Sequence, residues 1–236
     1  MRSRQWLATA LGIALLAGIM VVALVVYVLL AGADYGAGLW DLISSGSSKE
    51  EQQELIANAI QPIWEANHVW LILILVLLFC GFPPAFGTVM SALPVPILLL
   101  LAGIVLRGSS FVFRAYSTAD SHMQRFCGYV FSVSSCFTPF VAGVVLSSIS
   151  DDHVVVLQDV STNGYVSNWL DPSTICSGLF TLALVAFLAA AYLIVECPTE
   201  ELRRIFRRRA VMSAIGSAIM AGATFSLTAQ YAPGIR

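Results

Sequence analysis

Long apolar stretches alternate with short polar segments along the whole chain. Residues 6–33 and 69–106 contain no charged side chain. A helix that crosses a bilayer needs about 20 consecutive apolar residues, so each stretch is long enough to span a membrane. The pattern predicts six transmembrane helices, with bounds of about 7–32, 68–88, 90–110, 126–149, 174–195 and 210–230.

Glycine and proline separate the second predicted span from the third. The run Gly81-Phe82-Pro83-Pro84 predicts the turn between them. Pro94 and Pro96 fall in the first turns of the third span, where a missing N–H group costs least.

A different periodicity precedes the second span, at about 48–63. Ser47 or Ser48 followed by Glu50 or Glu51 predicts a capping box. The pattern that follows indicates an amphipathic helix on the membrane surface, kinked at its end by Pro62. Its apolar stripe is formed by Leu55, Ile56, Ala59, Ile60 and Ile63.

The composition agrees with a membrane protein. Only 11% of the 236 residues are charged and 58% are hydrophobic, whereas soluble domains carry about 25% charged residues. We therefore predict an all-α, polytopic membrane helix bundle. Residues 1–150 would form a first four-helix bundle with the interfacial helix, and residues 151–236 an acidic outer loop and a partial second bundle of two helices. The apolar N-terminus is too long for an ordinary cleaved signal core.

The basic residues predict how the chain is oriented. With an outer N-terminus, nine lysines and arginines lie in inner segments and three, Arg2, Arg4 and Arg236, lie outside. This distribution follows the positive-inside rule and predicts that the N-terminus lies on the outer side of the membrane. The net charge of −2 excludes a basic surface for nucleic acid.

Ionisable groups within membrane segments are candidate functional residues, because their desolvation is costly. Glu65 lies between Trp64 and Trp70 at the entry of the second span, and burial there would favour its neutral form. Asn67 and His68 could extend a hydrogen-bonded proton relay from it. The alternative is a solvated residue at the rim of the membrane.

Two further charged positions are open to two interpretations. Asp34 ends the first predicted span among Gly32, Gly36 and Gly38, which allow close backbone approach; alternatively it is an interfacial aspartate at a helix end. Arg107, at the end of the third span, could pair with Glu65 or Asp34, or could reach the inner membrane surface. Arg114 follows one heptad later.

Cysteine and histidine spacing does not indicate a metal site. The five cysteines show no C-x-x-C spacing, and His68, His122 and His153 do not form a ligand set. We expect Trp6, Trp40 and Trp169 in the aromatic belts, and Asp120, His122 and the arginine run 203–209 in solvated loops near lipid headgroups.

Three segments resemble subunit II of the cytochrome bd-type (cyanide-insensitive-like) quinol oxidases. They are AGADYGAGLWDL, NAIQPIWEANHVWLIL and LRGSSFVFRAYS. The second is the most specific, since it fits a family motif of the form Pro-x-Trp-Asp/Glu-x-Asn-x-Val-Trp-Leu. The segments DPSTICSGLF and AAYLIVECPTEELRRIFRRRA are similar to the start of that subunit's second half, so the resemblance covers nearly the whole chain.

The resemblance implies a role in aerobic respiratory electron transport. In that family subunit I carries all the haems and the quinol site, while subunit II packs against it and carries no haem. Glu65 would belong to a proton path, with Asp34, Asn67 and His68 beside it, and Trp70 with Trp64 would line an oxygen route or pack. Arg107 and Arg114 would form structural ion pairs. The resemblance leaves open whether the chain binds a structural quinone and whether a small accessory transmembrane subunit joins the complex.

The chain also departs from the family pattern. Family members usually have eight spans, and two positions that are acidic in some relatives are Ala31 and Val112 here. These differences leave Glu65 as the clearest element of the relay. Two alternatives to the oxidase subunit are a proton-coupled small-molecule transporter, which would use Glu65 and Asp34, and a non-functional fragment.

Overall fold

The computed structural model describes residues 2–117, 122–150 and 169–231, and every regular element within these ranges is an α-helix. Six of the helices are long and apolar enough to cross a membrane, which confirms the predicted all-α bundle with six spans. The predicted acidic loop falls largely on residues 151–168, outside the described residues. The helices are α1 Arg2–Leu42, α2 Lys49–Gly81, α3 Pro83–Ala92, α4 Pro94–Tyr116, α5 His122–Ser150, α6 Pro172–Glu196 and α7 Glu200–Tyr231.

Helix α1 continues ten residues beyond the predicted end of its span. Its 41 residues correspond to a length of about 60 Å, twice the thickness of a membrane's hydrocarbon core. Residues 31–41 are buried on almost every side, whereas most of residues 9–30 are exposed apolar positions. The helix persists because its last three turns are packed inside the bundle, so Asp34 does not lie at a helix end as one interpretation proposed.

Helix α2 combines two elements that the sequence analysis separated. The predicted interfacial helix and the second span form one continuous helix that includes Pro62. Ser48 is its N-cap residue, but its side chain makes no capping bond, so the predicted capping box is wrong. The apolar stripe packs on protein instead of on the membrane surface, because Ile56 and Ile60 join a core cluster with Phe206.

The first half of α2 crosses the end of the bundle obliquely. The Asn67 Nδ2 atom lies 3.2 Å from Asp34 Oδ2, and the Gln53 Nε2 atom lies 3.5 Å from the carbonyl oxygen of Asp41. Between these contacts α2 advances by 14 residues and α1 by only seven. The extra length, about 10 Å, means that α2 leaves its antiparallel course beside α1. It thereby reaches the ends of α6 and α7.

The proline positions were predicted correctly, with one added element. The chain turns at Phe82, and Pro94 begins α4 with Pro96 in its first turn. The short helix α3 lies between Phe82 and Pro94. The third span was predicted to begin at residue 90, but that residue belongs to α3, and the spanning helix α4 begins at Pro94. Pro83 begins α3, so both helices start where a missing N–H group costs least.

Helix α1 is central to the packing, with α2, α5 and α6 as its neighbours, while α4 lies on α5 and α7 lies on α6. Helix α6 packs directly against both α1 and α5. The division of the chain into two parts near residue 150 stays a prediction. Trp40 and Trp169 were expected in aromatic belts, but both are buried in core clusters. The Trp40 Nε1–H donates to the carbonyl oxygen of Ala186 at 2.9 Å, which satisfies its polar atom inside the core.

Arg209 also differs from its expected place in a solvated loop. Helix α7 begins at Glu200, so the arginine run is helical. The Arg209 guanidinium lies over the rings of Trp40 and Phe206, and its Nη2 donates to Gln52 Oε1 at 2.8 Å. Arg204, Arg207 and Arg208 are exposed.

Candidate functional site

A buried ion pair joins α1 to α4. The Arg107 Nη2 atom lies 2.6 Å from Asp34 Oδ1, and the two side chains are 1% and 0% exposed. The same nitrogen donates to the main-chain oxygen of Asp34 at 3.0 Å. Of the two partners predicted for Arg107, the structure therefore selects Asp34 and not Glu65. An arginine that reaches the membrane surface is also excluded, because the Arg107 side chain is buried and paired inside the bundle.

Two other helices complete the polar cluster around this pair. Asn67 on α2 donates from Nδ2 to Asp34 Oδ2, and Ser135 on α5 accepts from Arg107 Nε at 2.9 Å. The rings of Tyr35 and Phe131 lie 4.6 and 4.8 Å from the guanidinium carbon. Side chains from four helices thus meet at one charge pair, which fixes their relative positions.

A second ion pair follows one heptad further along both helices. The Arg114 Nη1 atom lies 2.9 Å from Asp41 Oδ2, and the Ser132 hydroxyl donates to the same oxygen at 2.9 Å. Arg114 is 24% exposed, so this pair lies towards the open end of the bundle. The sequence analysis missed Asp41 as a site residue. The matched spacing of Asp34 to Asp41 and Arg107 to Arg114 was the signal that could have found it.

The glycines near Asp34 have the predicted role of allowing close approach. A Cβ atom on Gly36 would overlap the carbonyl oxygen of Val185 on α6, and one on Gly38 would overlap the Ser135 side chain on α5. Helix α1 can therefore lie against both neighbours only with glycine at these positions. This close packing encloses the Asp34 carboxylate.

Glu65 is exposed, which differs from the expectation that Trp64 and Trp70 would bury it. It lies two residues before the buried Asn67, and positions two apart on a helix point about 160° from each other. Among the described residues no hydrogen bond connects Glu65 to Asn67 or His68. Glu65 continues an exposed apolar stripe of α2 that consists of Val69, Ile72, Val76 and Phe79.

The remaining predicted residues surround this helix turn. The His68 Nδ1 atom lies 2.8 Å from the carbonyl oxygen of Trp64, and the Trp64 ring lies 5.4 Å from that of Phe111 on α4. Trp70 is half-buried. The structure therefore brings Asn67 to Asp34 and Trp64 to α4, while the proton relay through Glu65 stays a prediction.

The described parts of the chain contain no group of three His, Cys, Asp or Glu residues that could hold a metal ion. His122 is exposed at the start of α5, and His153 and Asp120 lie outside the described residues. Cys127 and Cys197 are buried, and burial raises the pKa of the Cys197 thiol. Both cysteines are packing residues, and the thiol of Cys197 is weakly reactive.

Comparison with known proteins places this geometry in context. The family described as cytochrome bd terminal oxidase subunit II matches residues 13–234. The chain is 27% identical to cytochrome bd ubiquinol oxidase subunit 2 of Bacillus subtilis (strain 168), over 84% of this chain and 57% of that protein. It is 23% identical to cytochrome bd-I ubiquinol oxidase subunit 2 of Escherichia coli (strain K12), over 69% of this chain and 43% of that protein.

The fold is similar to that of a solved structure. A chain of the bd oxidase from Geobacillus thermodenitrificans superimposes with a TM-score of 0.72 and 18% identity, covering 94% of this chain and 67% of that one. The chain spans about half the length of the curated relatives it matches.

Proposed function

The chain belongs to the cytochrome bd terminal oxidase subunit II family, and on this premise we propose that it is the non-catalytic subunit of a membrane quinol:dioxygen oxidoreductase. A haem-bearing subunit I would oxidise quinol and reduce dioxygen, while this chain supplies a packing surface and part of the proton supply. The comparisons favour this function over the transporter alternative. The proposed location is the bacterial cytoplasmic membrane, with a periplasmic N-terminus.

The observation that carries the proposal is the exposed face of α2. Glu65 lies in one stripe with Val69, Ile72 and Phe79, and these three apolar side chains are 59–65% exposed. An ionisable side chain on a helix face covered by lipid is strongly disfavoured. A second protein that buries the stripe can instead give the carboxylate polar partners. We therefore propose that this face docks subunit I.

Helix α4 extends the proposed docking face. A Cβ atom on Gly108 would lie 3.8 Å from the Trp64 ring, and the centroids of the Trp64 and Phe111 rings lie 5.4 Å apart, so α4 meets α2 at Trp64. Exposed apolar residues continue along α4, with Leu98, Val105 and Phe113 among them. In this proposal Trp64 packs between α2 and α4, and Trp70, further along α2, lines the oxygen route.

We expect Ile72→Trp to reduce recovery of the haem-bearing subunit with this chain. The larger ring would disturb a close-packed docking face, and overpacking typically costs about 1–3 kcal/mol. The measurement is haem absorbance per mole of tagged chain after purification in mild detergent. Ile215→Trp is the matched control, because Ile215 on α7 is similarly exposed, at 57% against 60% for Ile72. Equal recovery from the two variants would contradict docking through α2.

We expect Glu65→Gln to leave the complex assembled but to slow oxygen consumption about tenfold. Glutamine keeps the shape of the side chain but cannot accept and release a proton, and a positioned proton-transfer group contributes about 10²–10⁴ in rate. Protons that travel through water instead of through residue 65 would make the loss of rate smaller than this full contribution. Oxygen consumption per haem measures the effect, and Glu51→Gln, at an exposed position on the same helix, is the control. Unchanged turnover would remove Glu65 from the proton path.

A further inference from the structure

A polar cavity of about 500 Å³ lies at the end of the bundle where α1, α2, α4 and α5 meet. Asp41 and Arg114 form part of its wall, so the second ion pair borders space large enough for several water molecules. The charged and titratable side chains that face it are Lys49 and Glu50 from α2, Arg125 and Tyr129 from α5, and the ion pair itself.

Asp41 has an unusual environment for a buried carboxylate. It is 4% exposed, and both Arg114 and Ser132 donate to its Oδ2 atom, while its Oδ1 atom is buried and has no hydrogen-bond partner among the described residues. Buried polar atoms are nearly always satisfied, and an orphaned carboxylate oxygen is especially costly. Oδ1 is therefore an acceptor that a proton, or a proton-bearing water from the cavity, would satisfy.

A second cavity of about 400 Å³ continues from the first towards Glu65. The two cavities share Gln53, Arg114 and Gln124 in their walls. The second one follows α2 as far as Gln61. Gln61 is four residues before Glu65, which is one helical turn. A groove with both polar and apolar side chains in its walls thus leads from Asp41 to Gln61, one helical turn before Glu65.

We propose that Asp41 is a second proton-exchanging carboxyl group, which takes protons from the cavity and passes them along this groove to Glu65. The inference rests on the proposed function and deepens it, since it adds an entry point to the proton supply. It also gives the Asp41–Arg114 pair a role that the deeper Asp34–Arg107 pair does not share. Asp34 has both carboxylate oxygens bonded and does not border either cavity.

The proton-transfer step balances without another reactant. A hydronium ion in the cavity transfers a proton to Asp41 Oδ1, so one O–H bond breaks, one forms, and water remains. The carboxyl group becomes neutral, and the partly exposed Arg114 keeps its charge while its side chain turns towards the cavity. When Arg114 returns to Oδ2, the proton passes from Asp41 to water in the groove. Lys49 and Arg125 oppose the loading step, and Glu50 favours it.

The test uses the complex of this chain with its haem-bearing partner. We expect Asp41→Asn to assemble with normal haem content but to consume oxygen about tenfold more slowly, because the amide can still accept from Arg114 and Ser132 but cannot carry a proton. Asp41→Glu should restore most of the rate. The Asp41→Asn/Glu65→Gln double variant should be no slower than the slower single variant, since the two groups act in series. Glu201→Gln, at an exposed position on α7, is the control.

Two further measurements separate proton exchange from a structural role. The dependence of turnover on pH should flatten in Asp41→Asn and remain normal in the control variant Glu201→Gln, whose position on α7 is exposed. Dicyclohexylcarbodiimide, which modifies protonated carboxyl groups, should label Asp41 and not Asp34. Wild-type turnover of Asp41→Asn, or an Asp41→Glu variant as slow as Asp41→Asn, would overturn the inference. A wild-type chain that recovers no haem protein would instead overturn the proposed function.

Discussion

Replacing Arg107 with methionine is expected to lower the free energy of unfolding by about 3–5 kcal/mol. The change removes the cation that neutralises Asp34, whose side chain has no exposure to solvent. Methionine fills much of the same volume, so the loss comes from an uncompensated buried charge and not from a cavity. Within the described part of the chain, Asn67 alone would remain as a side-chain donor to the carboxylate. Unfolding of the purified chain in detergent, followed by circular dichroism, measures the effect.

Companion variants separate the charge from the packing. Asp34→Asn should cost less than Arg107→Met, because Arg107 keeps its bonds to Ser135 and to the main-chain oxygen of residue 34 and lies against two aromatic rings. The double variant Asp34→Leu/Arg107→Met should recover much of the loss, since apolar residues can replace a buried ion pair. Arg204→Met, at an exposed position, is the control for loss of an arginine. A double variant as unstable as Arg107→Met would contradict this account.

The spans were well predicted from the sequence, because the free-energy cost of placing polar groups in lipid depends only on the residues of the spanning segment itself. Six apolar stretches correspond to six long helices, the chain turns at Phe82 within the predicted turn, and Pro94 lies in the first turn of a helix as expected. Helix ends were predicted less well. Hydropathy marks where a helix meets lipid, but α1 continues to Leu42 because protein surrounds it there. In the same way, the stripe on the first half of α2 is apolar because it packs on α6 and α7.

The candidate site was only partly predictable for a related reason. Asp34 and Arg107 were identifiable singly, since a charge within an apolar run needs a partner. Asp41 was not, because it lies at the end of such a run, where a solvated carboxylate is ordinary. Only the heptad match between α1 and α4 links it to Arg114, and that match requires knowing which helices are neighbours. Trp40 and Arg209 were misplaced because aromatic and basic residues near span ends usually lie at the membrane surface.

Helix packing around the site depends most on Gly36. A Cβ atom there would overlap the main-chain carbonyl of Val185 and lie 2.7 Å from the Cβ atom of Ala189. Neither atom belongs to the end of a flexible side chain, so α1 and α6 would have to separate. Small residues at such crossings allow close approach and strong van der Waals packing between transmembrane helices.

We therefore expect Gly36→Ala to lower the free energy of unfolding by about 1–3 kcal/mol, and Gly36→Leu to lower it further. The intrinsic helix propensity of alanine works in the opposite direction by about 1 kcal/mol, so any net loss reports the steric overlap. Gly18→Ala is the matched control on the same helix, because a Cβ atom at Gly18 meets nothing within 4 Å. That variant should be neutral or slightly stabilising in the same unfolding measurement. Equal effects at the two positions would show that α6 can move away from α1 without a loss of stability. The Arg107 ion pair, and not the close packing at Gly36, would then account for the burial of Asp34.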